Sequence, residues 1–175
     1  MSVRKRTQRR ELTARGPKSR GRQDGVVPVA IRPATAADAA GIADVYLAAF
    51  HATYAFPLAH TDDQVRIWLA GIVAGEPRPW VAETDGRLVA MMVLDDDGID
   101  QLYVDPAWHG RGIGSRLVEL AKAERPHGLA LYTFQVNDRA RRFYERHGFV
   151  AVRRTDGRDN EERAPDILYE LQAPS

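Results

Sequence analysis

The stretch LYVDPAWHGRGIGSRL, residues 102–117, changes character twice along its length. Leu102, Tyr103 and Val104 end an apolar run that starts at Ile99, and Asp105-Pro106 closes it, since proline cannot donate to a strand ladder. The glycine-rich HGRGIG (109–114) then opens a helix in which Ile113, Leu117, Leu120 and Ala121 share one face, stopped by Pro126 and Gly128. Gly110, Gly112 and Gly114 remove side chains where backbone N–H groups converge, and the helix start adds partial positive charge. Such a turn suits a phosphate or pyrophosphate. A P-loop needs G-x-x-x-x-G-K-[S/T], which the chain lacks. A dinucleotide fingerprint needs G-x-G-x-x-G, whereas this run reads G-x-G-x-G.

Upstream, Trp80–Glu83 and Leu88–Leu94 flank Asp85-Gly86, a dipeptide that accepts positive φ at both central positions and so predicts a tight hairpin. With Ile99–Val104, this makes an antiparallel meander. Further back, Val29–Arg32 predicts a strand, and Thr35 with Asp38 opens a helix over 36–50 carrying Ile42, Val45, Tyr46, Ala49 and Phe50 on its inner stripe. Thr61 with Gln64 repeats the cap signal before Val65, Trp68, Leu69, Ile72 and Val73. Downstream come a strand at Leu129–Gln135, a helix at Asn137–His147 ended by Gly148, a strand at Phe149–Arg153, a polar loop and a strand at Ile167–Leu171. The order is β-α-α-β-β-β-α-β-α-β-β. Its central β-α-β is a right-handed crossover, which places the strand ending at Val104 parallel to the next one.

The 175 residues suffice for one domain with a proper core, and no long uncharged apolar run predicts a membrane span. Without cysteine, thiolate nucleophiles, disulfides and Cys-based metal sites are excluded, and no His/Asp/Glu spacing argues for a metal. The net charge of +1 conceals an asymmetry: residues 1–25 hold nine basic and two acidic side chains, leaving 16 basic and 22 acidic ones in the rest. Residues 1–28 have too little apolar surface to offset their ordering entropy, so they read as a disordered basic tail before a domain at 29–175. The tail lacks the apolar segment of a secretory signal, so a cytoplasmic protein is expected.

Two motifs resemble the GNAT superfamily of N-acetyltransferases. His109-Gly110-Arg111-Gly112-Ile113-Gly114 matches [Q/R]-x-x-G-x-[G/A] after a strand, with His where Gln or Arg is usual. Asn137, Ala140, Phe143, Tyr144, Gly148 and Phe149 match N-x-x-A-x-x-F-Y-x-x-x-G-F. The resemblance covers about residues 29–171. It implies an α/β (α+β) fold: a mixed, mostly antiparallel six- or seven-stranded sheet whose central parallel pair splays apart, with about four helices. It further implies acetyl-CoA as cofactor, its pantetheine arm paired with the strand edge at Leu102, Tyr103 and Val104. Its pyrophosphate would rest on the amides of Gly110, Arg111, Gly112, Ile113, Gly114 and Ser115.

The same resemblance implies that Asn137 touches the arm and Tyr144 reaches the sulfur. Placed seven residues apart on one helix, the two would share a face with an offset of about 10 Å. The reaction is direct attack of a neutral amine on the thioester. An amine like that of lysine, with a pKa near 10.4, is neutral in only about one molecule in two thousand at pH 7, so a base or a desolvating channel is required. Some members place a Glu on the strand before the Asn. Tyr132 stands there here, and Asp100, two residues before Leu102, is the substitute base. His51, Tyr54 and His60 lie in the helix–helix connection that borders the acceptor site in this fold, and Asp95–Asp97 with Asn160-Glu161-Glu162 are suited to attract a cationic amine. The expected acceptor is a primary amine, on a small molecule or a protein. Two other readings stay open: a non-catalytic acyl-CoA-binding regulatory module, and a nucleic-acid-directed acetyltransferase that uses the basic tail. A homodimer is compatible with all three readings.

Overall fold

A computed structural model describes residues 28–172. The reading of a disordered tail falls almost wholly outside them. The described elements run β1 (Ala30–Pro33), a 3-10 turn (Ala36–Asp38), α1 (Ala39–Thr53), α2 (Asp62–Ala74), β2 (Trp80–Thr84), β3 (Arg87–Leu94) and β4 (Ile99–Val104). They continue with a second 3-10 turn (Pro106–Trp108), α3 (Ile113–Glu124), β5 (Gly128–Phe134), α4 (Asp138–Arg146), β6 (Val150–Arg154) and β7 (Asp166–Gln172). This is the expected order. None of the described helices is long and apolar enough to cross a membrane.

Local chemistry sets the element ends. Asp85 and Gly86 both take positive φ, 49° and 73°, and turn β2 into β3 with the twist a two-residue hairpin needs. At α2, the Thr61 amide donates to Gln64 Oε1 at 2.9 Å while Thr61 Oγ1 accepts from the Gln64 amide, a reciprocal cap. At the first 3-10 turn, the Thr35 amide donates to Asp38 Oδ2 at 2.7 Å. Arg32 forks onto both Asp38 oxygens and also reaches Glu83, so it ties β1 to β2.

The strands divide into two sheets, ordered β1-β2-β3-β4 and β5-β7-β6, with all pairings within them antiparallel. They meet at one parallel bridge, Gly98 to Ala130, beside which the Ala130 amide donates to the Asp97 carbonyl at 2.9 Å. A Cβ at Gly98 would stand 2.2 Å from the Ala130 carbonyl oxygen, so only glycine admits this approach. Beyond the bridge the parallel pair opens into a V.

β3 is buried on both faces, which explains its unbroken apolar run. Met92 and Leu94 pack with Leu117, Val118 and Ala121 of α3, while Met91 and Val93 pack with Ile42, Val45 and Tyr46 of α1 and Val65 and Leu69 of α2. The predicted inner stripe of α1 is buried throughout. On α2 one residue departs: Trp68 is 42% exposed, its ring meeting Tyr46 edge-on at the lip of the V.

Candidate active site

The V encloses a groove of about 1650 Å³. Single-ligand pockets run to roughly 300–1000 Å³, so this one has room for two reactants side by side. Its walls come from the α1–α2 connection, β4, the glycine loop, β5, α4 and the β6–β7 loop.

β4 supplies an open edge. The Asp105 amide donates to the Val89 carbonyl at 2.8 Å. Since backbone groups alternate sides along a strand, those of Tyr103 face β3, and those of Leu102 and Val104 face the opening. Of the three residues expected at the edge, Leu102 and Val104 therefore present polar groups to it. Tyr103 instead packs its ring on Tyr46, centroids 4.5 Å apart.

The edge leads to the glycine loop. Gly112 caps α3 in the left-handed region at φ 77°, with Gly110 at 76°, and a Cβ on either would meet nothing within 4 Å. Conformation, not crowding, selects glycine at both. Gly114 differs, because its Cβ would stand 3.3 Å from Phe143 Cζ. The amides of Gly110 through Ser115 have no acceptor among the described residues, the first bond of the helix being Arg116 N–H to the Gly112 carbonyl. Convergent donors at a helix start fit the diphosphate of an acyl-CoA. Arg111 turns its guanidinium onto the Trp108 ring at 4.5 Å, and Ser115 Oγ lies 3.0 Å from His147 Nε2.

Across the opening, Asn137 and Tyr144 both line the groove. Asn137 stands outside α4 as its cap, at φ −87° and ψ 70°, and its Oδ1 accepts the Ala140 amide at 3.0 Å. Its Nδ2 donates to the Tyr54 hydroxyl at 2.7 Å. Tyr144 is 7% exposed, and its hydroxyl has no hydrogen-bond partner among the described residues. Burial pushes its pKa far above the ordinary phenol value, so it stays protonated as a donor at neutral pH.

At the other end of β4, the register shifts so that Gln101 pairs with Val93 and Ile99 with Leu94, leaving Asp100 as the extra residue of a bulge. Asp100 is exposed along the concave wall. Partial desolvation, reinforced by Asp95, raises its pKa. Of the three residues singled out in the helix–helix connection, Tyr54 and His60 line the groove. His51 does not, and it pairs with Asp62 at 3.2 Å outside. His60 meets Glu161 of the β6–β7 loop at 3.1 Å, and Arg153 donates to the Tyr132 hydroxyl at 2.7 Å. Asp95, Asp97, Asp100, Glu161 and Glu162 line this end, and Arg139 lines the glycine-loop end.

Sequence reasoning named Tyr54 but passed over Arg139 and the aromatic cluster that Phe50, Phe56 and Phe134 form with Tyr54, whose rings meet in pairs at 4.7 to 5.9 Å. These groups meet only after folding. The one available signal was the density of aromatics across 46–56.

Residues 76–151 match the model of the acetyltransferase (GNAT) domain. Over 78 residues the chain is 38% identical to the peptidyl-lysine N-acetyltransferase YjaB of Salmonella typhimurium, covering 44% of this chain and 53% of that one. The chain thus spans about half the length of that curated relative. The solution structure of apo YjaB from Escherichia coli superposes with a TM-score of 0.70 at 24% identity, over 84% of this chain and 99% of that one. The PaiA N-acetyltransferase of Thermoplasma acidophilum in complex with coenzyme A superposes with a TM-score of 0.60 at 17% identity, over 83% and 99%.

Proposed function

We propose that this chain is a member of the GNAT superfamily and transfers an acetyl group from acetyl-CoA to a primary amine, with both reactants in the groove together. The observation that carries the reading is the continuity of the open β4 edge, the backbone groups of Leu102 and the amide of Val104, with the unpaired amides of Gly110–Ser115. One feature binds an amide-bearing arm by strand-like pairing, and the next binds a diphosphate. Acetyl-CoA, when bound, supplies an activated carbonyl and a thiolate leaving group.

The protein's own part is positioning, charge and proton handling. Tyr144 offers a preformed donor toward the place where negative charge develops on sulfur. A phenol well above its ordinary value is a much weaker acid than a thiol near 8.5, so Tyr144 acts by hydrogen bonding rather than by giving up its proton. Asp100 takes the proton of the amine through water, and the carboxylates around it draw a cationic acceptor to that end. Asn137, held by Tyr54 and by its own cap, keeps the start of α4 against the groove.

Lysine side chains in peptides are the first acceptor class to try, since the curated relative is named a peptidyl-lysine N-acetyltransferase. The test follows free thiol release from acetyl-CoA against lysine peptides, amino acids, polyamines and aminoglycosides. Saturable release with one class supports the proposal. Tight CoA binding without release above background for any amine, together with wild-type behaviour of Tyr144→Phe in that assay, would sink it in favour of a non-catalytic binding module.

A further inference from the structure

His109 stands where the open edge ends and the glycine loop begins, and it bonds to both sides of the groove. Its Nε2 lies 2.9 Å from the Val104 carbonyl oxygen, and its Nδ1 lies 2.6 Å from a terminal nitrogen of Arg139 on α4. A carbonyl can only accept and a guanidinium can only donate. The two neighbours therefore select one form of the ring, neutral, with the proton on Nε2.

We propose that His109 is a positioning residue that stops the pairing edge at Val104 and holds the Arg139 guanidinium over the diphosphate site made by the Gly110–Ser115 amides. The inference rests on the acetyl-CoA reading. Three observations support it. The Val104 carbonyl faces the opening, so His109 occupies the acceptor that an extended arm would otherwise reach, and the arm must leave the strand there. Arg139 makes no ion pair with a carboxylate among the described residues, although it lines the same groove as Gly110 and Gly112 and meets His109, the residue before Gly110. A cation left unpaired next to converging amides is matched by a ligand that brings its own negative charge. Arg111, in the loop itself, is turned onto Trp108, and Arg146, at the other end of α4, also lines the groove.

The ring's neutrality makes the clamp sensitive to acid. The charged groups facing it are Arg139 from α4 and Asp105 from the end of β4. Desolvation and Arg139 together hold the His109 pKa below its ordinary value, with Asp105 and the Val104 carbonyl opposing. Above that pKa the Nδ1 lone pair holds Arg139. As pH falls through it, Nδ1 gains a proton, the bond is lost and two cations face each other. A glutamine at 109 offers the same donor and acceptor without titrating.

The test is calorimetric affinity for CoA and for dephospho-CoA, at pH 7.5 and 5.0, in the wild type, His109→Gln, His109→Ala, Arg139→Ala and the His109→Ala/Arg139→Ala double variant. Circular dichroism confirms folding of each. Dephospho-CoA lacks the phosphomonoester, which itself titrates near pH 6, so its acid loss belongs to the protein. At pH 7.5, His109→Ala and Arg139→Ala each weaken binding by about tenfold, and the double variant is no weaker than Arg139→Ala. The wild type loses affinity for dephospho-CoA at pH 5.0, while His109→Gln keeps it. Wild-type affinity in His109→Ala, multiplying losses in the double variant, or an acid loss in His109→Gln equal to that of the wild type overturns the clamp while leaving the acetyl-CoA reading intact. No CoA binding by the wild type overturns both.

Discussion

The side-chain amide of Asn137 donates to the hydroxyl of Tyr54 at 2.7 Å, joining residues 83 apart in sequence across the mouth of the groove. The same Asn137 caps α4 through its other atom, so one side chain locks a helix start to the opposite wall. Removing the hydroxyl and removing the whole amide should therefore cost different amounts. Tyr54→Phe is expected to lower stability by about 1 kcal/mol, and Asn137→Ala by about 2 kcal/mol because the cap is lost as well. Urea denaturation of both variants measures the gap, and equal losses would mean that the cap contributes nothing.

Tyr144→Phe keeps the ring in the core and deletes an unpartnered hydroxyl, so stability and CoA affinity should hold. Turnover at saturating acetyl-CoA should fall by roughly 10²-fold if the hydroxyl acts mainly in the transition state. Steady-state kinetics with a working acceptor decide it, and an unchanged kcat would return Tyr144 to a packing role.

Two glycines of the same motif should fail differently. Gly112→Val puts a branched side chain at φ 77°, into open space, at a strain of about 1–2 kcal/mol, so the domain folds but loses CoA affinity as the amides shift. Gly114→Val drives a side chain against Phe143, 3.3 Å from the new Cβ, so the loss falls on stability first. Melting curves with and without CoA separate the two, and a Gly112→Val variant with wild-type affinity would remove the cradle from the account.

Acid should weaken the β1–β2 corner through Asp38. Its fork with Arg32 and its bond from the Thr35 amide hold its folded pKa well below the ordinary carboxylate range. That stabilisation is fully present above the unfolded value near 3.9 and is lost as pH falls toward the folded one. Asp38→Asn should be less stable than the wild type at pH 6, with the difference shrinking between pH 4 and 2. Melting temperatures across that range test this, and a constant difference would show that the charge is not what matters.

Much of the fold was legible because its signals are local. The Asp85-Gly86 hairpin, the Thr61/Gln64 cap, the left-handed Gly112 and the period of α1 each depend on a few neighbouring residues whose backbone preferences act before any long-range contact forms. The glycine loop and Tyr144 could be placed in one site from two motifs. The mixed sheet with its splayed parallel pair was expected from the resemblance, but where the two halves meet depends on Gly98 approaching Ala130, a contact no local pattern encodes.

The placing of Asn137 and Asp100 shows the same limit. Helical spacing put Asn137 on the face of Tyr144, and both line the groove, but nothing local showed that Asn137 would stand outside α4 as its cap with its amide on Tyr54. Strand alternation put Asp100 beside Leu102 without the bulge that sets it apart from β3. The sequence by itself determined the elements, their order and the anion-binding turn, since turns, caps and periodicity are short-range. Only the tertiary structure decided which edge of β4 stays open, what Asn137 holds and where His109 ties Arg139, because those bonds join segments that only the packing of the chain brings together.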